Sequence, residues 1–280
     1  ILRACTHKHI VTINEANVFP VGGEQRVVLD LEYIPEGSLE GAMEARWISV
    51  REAVTYIRGT LSGLEHAHAQ GILHRDIKPG NILLAPNAAK LSDFGLATSI
   101  DPGQAGSAKG YVTHLAPEYV AHRQTTQQTD VFAMGVTLFR AVCNLADWRA
   151  ITNAIPKKIE HIEKGTLIKK IGYPDFVPAA LRRIINKACA ADPAKRFSTA
   201  TEFGQRLDGL RFSIDWLQDS DFEWSGSDGK YQYEATVDPQ SNGLTIKKNN
   251  RRIRERCQHH DSLDEAVLAL HEHIAATVLA

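Results

Sequence analysis

The chain has 280 residues, 43% apolar and 23% charged, with 32 Lys and Arg against 33 Asp and Glu for a formal net charge of −1. This composition excludes a disordered or collagen-like polypeptide, and the length suffices for one large domain with a small addition. The even charge balance argues against a globally basic binder of nucleic acid or anionic membrane.

Residues 1–34 read as β-rich. Val11, Ile13, Val18 and Phe19 precede a Gly22-Gly23 turn, and an apolar strand resumes from Val27 to Ile34. A long helix follows: Ser49 with Glu52 is a capping box, Val50, Val54, Ile57, Leu61 and Leu64 keep helical spacing, and Gly71 stops the run. Residues 72–100 are short strands and turns punctuated by Pro79, Gly80, Pro86 and Gly95. Helices then dominate. Thr129–Asn144 is apolar nearly all round and is expected to be buried on most faces. Leu181, Ile184, Ile185 and Ala188 mark another helix, and Thr199 with Glu202 caps a third. No stretch is long enough to cross a bilayer; the best apolar run, Val131 to Phe139, is short.

At about residue 213 the character changes. Tyr231, Tyr233, Ala235 and Val237 alternate as in a half-buried strand, Asn242-Gly243 turns, and Leu244 to Lys248 forms a second strand. Asn249-Asn250 leads to a third through Ile253 and Cys257. Ser262 with Glu265 caps a final helix with Leu263, Val267, Leu270, Ile274 and Val278 on one face. Residues 213–280 are therefore expected to form a small α+β appendage of β-β-β-α type. Four scattered cysteines (Cys5, Cys143, Cys189, Cys257) without a C-x-x-C pair suggest a reducing, cytoplasmic setting rather than a disulfide scaffold.

Three motifs occur in order: His74-Arg75-Asp76-Ile77-Lys78-Pro79-Gly80-Asn81, then Asp93-Phe94-Gly95, then Ala116-Pro117-Glu118. Each alone is weak; their order and separations together are specific. They resemble the protein kinase signature set over roughly the first 210 residues. The resemblance implies a partial small lobe (1–34), a complete, mainly helical large lobe (35–212) and the appendage, an α+β fold overall. It implies ATP and Mg²⁺ as cofactors and a protein substrate, and Lys78-Pro79 beside the base implies Ser/Thr specificity.

The roles that the resemblance assigns follow the needs of phosphoryl transfer. Asp76 would hold and orient the substrate hydroxyl as base, Lys78 would neutralise the moving phosphate, and Asn81 with Asp93 would bind Mg²⁺. Glu32-Tyr33-Ile34 would form the hinge whose backbone binds adenine, with Leu31 at the gatekeeper place before it and Leu83 as the apolar floor beneath. Asp130 would hold the catalytic-loop backbone, Glu118 and Arg196 would form a structural ion pair, and Ile13, Leu2, Phe94 and His74 would stack in a column or be plain core. Arg75 would receive a phosphate on the segment between Asp93 and Glu118, with Ser99, Ser107, Tyr111 and Thr113 as candidate acceptors.

The sequence departs from the family pattern in two places. Gly110-Tyr111 stands where the family has Gly-Thr. The Gly-rich loop and strand lysine do not occur, and the family's helix glutamate would fall about two residues before Ile1. The expectation is an N-terminally truncated kinase whose 280 residues alone transfer little phosphate. The alternative is a pseudokinase or scaffold that binds partners through the same fold. In the tail, Lys247, Lys248, Arg251, Arg252, Arg254 and Arg256 crowd into ten residues with only Glu255. A solvated strand face explains the stretch 247–256 without a ligand; contact with nucleic-acid phosphates or docking of an acidic partner are the alternatives. The histidines, including His66 and His68 and the cluster near Cys257, show no zinc spacing and are expected to be surface or core residues.

Overall fold

The computed structural model describes residues 6–94 and 112–280. Strands β1 (Ile13–Val21) and β2 (Glu24–Leu31) form an antiparallel hairpin around Gly22-Gly23. Its apolar residues stay open: Val18 and Val27 are 59% and 67% exposed. A second hairpin, β3 (Ile82–Ala85) with β4 (Ala88–Leu91), is joined to residues 9–11 by Val11 N–H to Leu91 O (2.9 Å) and Leu91 N–H to His9 O (2.9 Å).

The helical body comprises α1 (Leu39–Ala45), α2 (Val50–Ala69), α3 (Pro117–His122), α4 (Gln127–Val142), α5 (Trp148–Asn153), α6 (Lys158–Glu163), α7 (Leu167–Ile171), α8 (Ala179–Ala188) and α9 (Ala200–Asp208). The capping box of α2 closes as expected: Glu52 N–H donates to Ser49 Oγ (3.1 Å) and Ser49 N–H to the Glu52 carboxylate (3.2 Å). Helix α4 is buried almost throughout and packs on α2 and α8. Each fully buried Leu or Ile on the facing stripe of α2 (Ile57, Leu61, Leu64) contributes about 1.5–3 kcal/mol. Gly135 lets α8 approach α4, since a Cβ there would lie 2.6 Å from Cys189 Sγ. The two charged side chains of α4 are both buried and both paired: Arg140 with Glu40 at 2.6 Å, and Asp130 with the site below. No described helix is long and apolar enough to cross a membrane.

The C-terminal unit corrects the β-β-β-α expectation. Among the described residues it holds β5 (Asp215–Ser220), β6 (Glu223–Ser227), β7 (Gln232–Asp238), β8 (Gly243–Lys248), β9 (Arg251–Arg252), β10 (Gln258–His259) and helix α10 (Leu263–Val278). They form one antiparallel sheet in the order β10-β8-β7-β6-β5, with β9 also on β8. The expected third strand through Ile253 and Cys257 is instead two two-residue strands, broken by a 3₁₀ turn at Arg254–Arg256. The break has a local cause: Ile253 N–H bonds Ile246 O (2.8 Å), and the Cys257 thiol then turns inward to Ile253 O (3.3 Å) and Ile246 O (3.6 Å). Helix α10 lays Ala266, Leu270, Ile274 and Val278 against Trp216, Trp224, Ala235, Val237, Leu244 and Ile246. The sheet is tied to the helical body by Arg51, which donates to Ser213 O (3.1 Å), and by Trp224, whose ring lies 5.2 Å from both Trp47 and Phe176.

Candidate active site

The loop from His74 to Asn81 is fixed from below by one carboxylate. Asp130, 1% exposed in the first turn of α4, accepts from His74 N–H (2.9 Å) and His68 Nε2 (2.8 Å) through Oδ2, and from Arg75 N–H (2.8 Å) through Oδ1. Because a carboxylate only accepts, His68 carries its proton on Nε2. Burial pushes the Asp130 carboxyl upward, but His68, His74 and the Arg75 N–H outweigh that and hold it below the usual carboxylate range. Such bonding offsets the cost of holding Arg75 in the left-handed region at φ 69°.

His74 is fully buried and bridges two segments. Its Nε2 faces Ser92 O (2.8 Å), so it donates there, and its Nδ1 accepts from Asp76 N–H (3.3 Å). Burial lowers its pKa, against the pull of Asp130, the Ser92 carbonyl, Asp76 and Asp93. The neutral tautomer is the one this geometry needs. Its ring lies 4.7 Å from Phe94, and that pair is the part of the expected column found in contact; Leu2 lies outside the described residues.

On this base the structure brings Asp76, Lys78 and Asn81 together. Lys78 Nζ is 2.5 Å from Asp76 Oδ2, and Asn81 Nδ2 donates to Asp76 O (2.8 Å) and to Asp76 Oδ2 (3.0 Å). Asp93 is delivered to the same place through its neighbour: Ser92 N–H and Oγ–H both bond Asn81 O, at 2.9 and 3.1 Å. Asp93 itself is exposed, at φ 57°. With Nδ2 of Asn81 committed to Asp76, what Asn81 has left for a cation is Oδ1, a hard oxygen; with the Asp93 carboxylate this is a donor set suited to Mg²⁺.

The residues expected around the adenine differ in setting. Ile34 is 9% exposed and Leu31 42%. Glu32 is gripped by Lys90 (2.6 Å) and Thr12 N–H (2.7 Å); burial acts to raise its pKa, and these partners bring it down on balance. Lys90 pairs in register with Leu83, so one lysine links Glu32 to the strand that carries the half-buried Leu83. Glu118 and Arg196 make the expected two-pronged ion pair, at 2.7 Å on each side.

Thr113, one of the candidate phosphate acceptors, is buried and accepts from Trp148 Nε1 at 2.6 Å, so its hydroxyl is not open to a phosphate here. Ser99, Ser107 and Tyr111 lie outside the described residues. Two contributors escape sequence reasoning. Ser92 gives no signal beyond its place before Asp93. His68 does give one: it continues the buried stripe of Leu61 and Leu64 on α2, where an imidazole needs a partner.

Comparison with known proteins agrees with this geometry. The protein kinase domain family matches residues 1–206. The chain is similar to serine/threonine-protein kinase PknJ of Mycobacterium tuberculosis (31% identical over 206 residues, 70% of this chain and 34% of that protein). It is similar also to PrkC of Bacillus subtilis (30% over 220 residues; 72% and 33%) and to PknA of Mycobacterium tuberculosis (28% over 211 residues; 73% and 48%). The chain thus spans about a third of the first two and about half of the last. With its signature residues gathered on one buried carboxylate and most of its length inside the match, the chain belongs to the protein kinase domain family.

Proposed function

We propose that the protein is a serine/threonine kinase that transfers the γ-phosphate of ATP, with Mg²⁺, to a protein hydroxyl. The observation that carries this reading is the joint engagement of Asp76, Lys78 and Asn81, with Asp93 hung from the Asn81 carbonyl through Ser92. A module that only bound partners would have no physical need for all four.

In this reading Asp76 accepts the hydrogen bond of the substrate hydroxyl, orients its lone pair and takes its proton as the bond to phosphorus forms. Asn81 keeps the Asp76 carboxylate aimed by donating to both its side chain and its backbone carbonyl. Lys78 swings between Asp76 and the transferring phosphoryl group, so its charge is on hand where negative charge builds. Leu31, Glu32, Ile34 and Leu83 hold the adenine end. Asn81 Oδ1 and the Asp93 carboxylate would hold Mg²⁺, which neutralises phosphate charge when bound.

The 280 residues contain no Gly-x-Gly-x-x-Gly stretch. We therefore expect this chain by itself to hold ATP weakly and to turn over slowly. The test is phosphoryl transfer from Mg·ATP to a Ser/Thr acceptor by the full-length natural polypeptide, whatever its length, against the same polypeptide carrying Asp76→Ala. A loss in kcat of at least ~10²-fold is expected. Wild-type turnover in the variant, or none in the parent, overturns the proposal; the second result points to a partner-binding role.

A further inference from the structure

The C-terminal sheet concentrates positive charge in a way that its own fold does not explain. Residues 213–280 carry twelve carboxylates and seven cations, and six of those seven lie between 247 and 256. Strands β8 and β9 turn on Asn249 and Asn250, at φ 48° and 62°, the geometry of the tightest two-residue hairpin loop. That register sets Lys247 directly opposite Arg252 and Lys248 directly opposite Arg251. Like charges facing each other across strands destabilise a sheet. The next turn adds Arg254 and Arg256, both exposed like Arg251 and Arg252.

Partners within the fold reach only the lysines. Lys247 is paired with Glu234 at 2.7 Å, and Lys248 lies over the Tyr231 ring at 3.7 Å. Among the described residues, none of the four arginines has a carboxylate within ion-pair distance. The hairpin is nonetheless rigidly held. Asn249 N–H donates to Gln232 O (2.8 Å), Gln232 N–H donates to Asn249 Oδ1 (3.0 Å), and Ile253 is anchored to Ile246. Four guanidinium forks are therefore presented on a fixed frame, with bidentate capacity unused inside the molecule.

We infer that the β8–β9 hairpin and the turn after it are a docking surface for an acidic peptide segment of a protein partner. Two observations favour a short run of carboxylates over nucleic acid. The aromatic faces nearby are closed to base stacking: Tyr231 is covered by Lys248 and, at 4.9 Å, by Lys230, while Tyr233 donates to Asp228 (2.8 Å) and packs near Trp216. The rest of the unit is acidic, so a long phosphate backbone leaving the hairpin would run into Asp228, Glu234 and their neighbours, whereas a short acidic peptide ends before it meets them. The surface owes nothing to the phosphotransferase reading and stands or falls separately.

The experiment measures anisotropy of a short fluorescein-labelled glutamate–glycine peptide titrated with the 280-residue chain at two salt concentrations. Comparison probes are the glutamine version of the peptide and a single-stranded oligonucleotide of equal charge. The glutamate peptide should bind, weaken with salt, and lose affinity about tenfold or more with the double variant Arg251→Gln and Arg252→Gln. The pair Lys169→Gln and Lys170→Gln on α7 should leave binding unchanged. Because the replaced arginines are exposed and face like charges, the double variant should melt no lower than the wild type, which separates lost docking from lost folding. Equal binding of the glutamine peptide, indifference to the double variant, or tighter binding of the oligonucleotide overturns the proposal, the last in favour of nucleic acid.

Discussion

His74 is the residue whose chemistry is most tightly specified. It must donate at one ring nitrogen and accept at the other, so a second proton would set two donors, Nδ1–H and Asp76 N–H, against each other at 3.3 Å. Its folded pKa lies below the ordinary value, chiefly through burial. The unfolded chain therefore binds the proton more readily, and the stability that His74 contributes is intact above about pH 6.5 and is lost as pH falls toward the folded value. His74→Phe keeps the ring beside Phe94 but removes two hydrogen bonds, at a cost of about 2 kcal/mol at neutral pH. It should also flatten the acid limb of stability against pH by about one proton. His7, His9, His114, His271 and His273 are lowered too, but they titrate in both proteins and cancel in the difference. Urea melts of both proteins across that range measure the effect, and parallel limbs would refute it.

At the scale of elements, what was legible in the sequence was what is encoded locally. Ser49 with Glu52, Thr199 with Glu202 and Ser262 with Glu265 each accept from the N–H three residues on, and each opens a helix where the spacing predicts one. Asp76, Asn81 and Asp93 were legible for the same reason, since each sits in a short motif. Asp130 was legible only through the family resemblance, and its partner His68 stayed hidden because the contact joins residues 62 apart in sequence. Strands β5 and β6 went unread because their alternation is blurred. Leu217 faces solvent at 40% exposure while Gly226, with no side chain to announce burial, is in the core. The Trp216 ring fills the place above that glycine: a Cβ on Gly226 would stand 2.6 Å from Trp216 Cε3 and 2.8 Å from Ile214 Cγ2. Gly226→Val should therefore displace Trp216, break its Nε1 bond to Thr277 (3.0 Å) and cost about 1–3 kcal/mol. Thermal melting with tryptophan emission reads both effects. A variant as stable as wild type with unshifted emission would show that the ring can yield freely.

At the scale of the whole molecule, the C-terminal sheet acts as a brace for the helix beneath the candidate site. Trp224, 2% exposed, meets Trp47 edge-on at 80°, and Phe176 and His271 close the cluster. Edge-to-face rings at these spacings contribute about 0.5–1.5 kcal/mol per pair beyond the area they bury. Trp47 lies just before the cap of α2, and the other end of α2 carries His68 to Asp130, so the aromatic cluster and the His74–Asn81 loop are attached to opposite ends of one rod. Arg51 reinforces the joint through Ser213 O and by lying 5.2 Å over Phe212. Because the buried residues on both sides of this joint form one continuous core, the wild-type chain should unfold in a single calorimetric transition. Trp224→Ala removes the shared ring, should cost about 3–5 kcal/mol, and should split that transition in two as the sheet and the helical body melt separately. If the variant instead melts as one unit, only lower, the coupling runs through the Arg51 contacts and not through the aromatic cluster. Arg51→Ala in the same scan tells the two apart, because it removes the polar joint while leaving every ring in place.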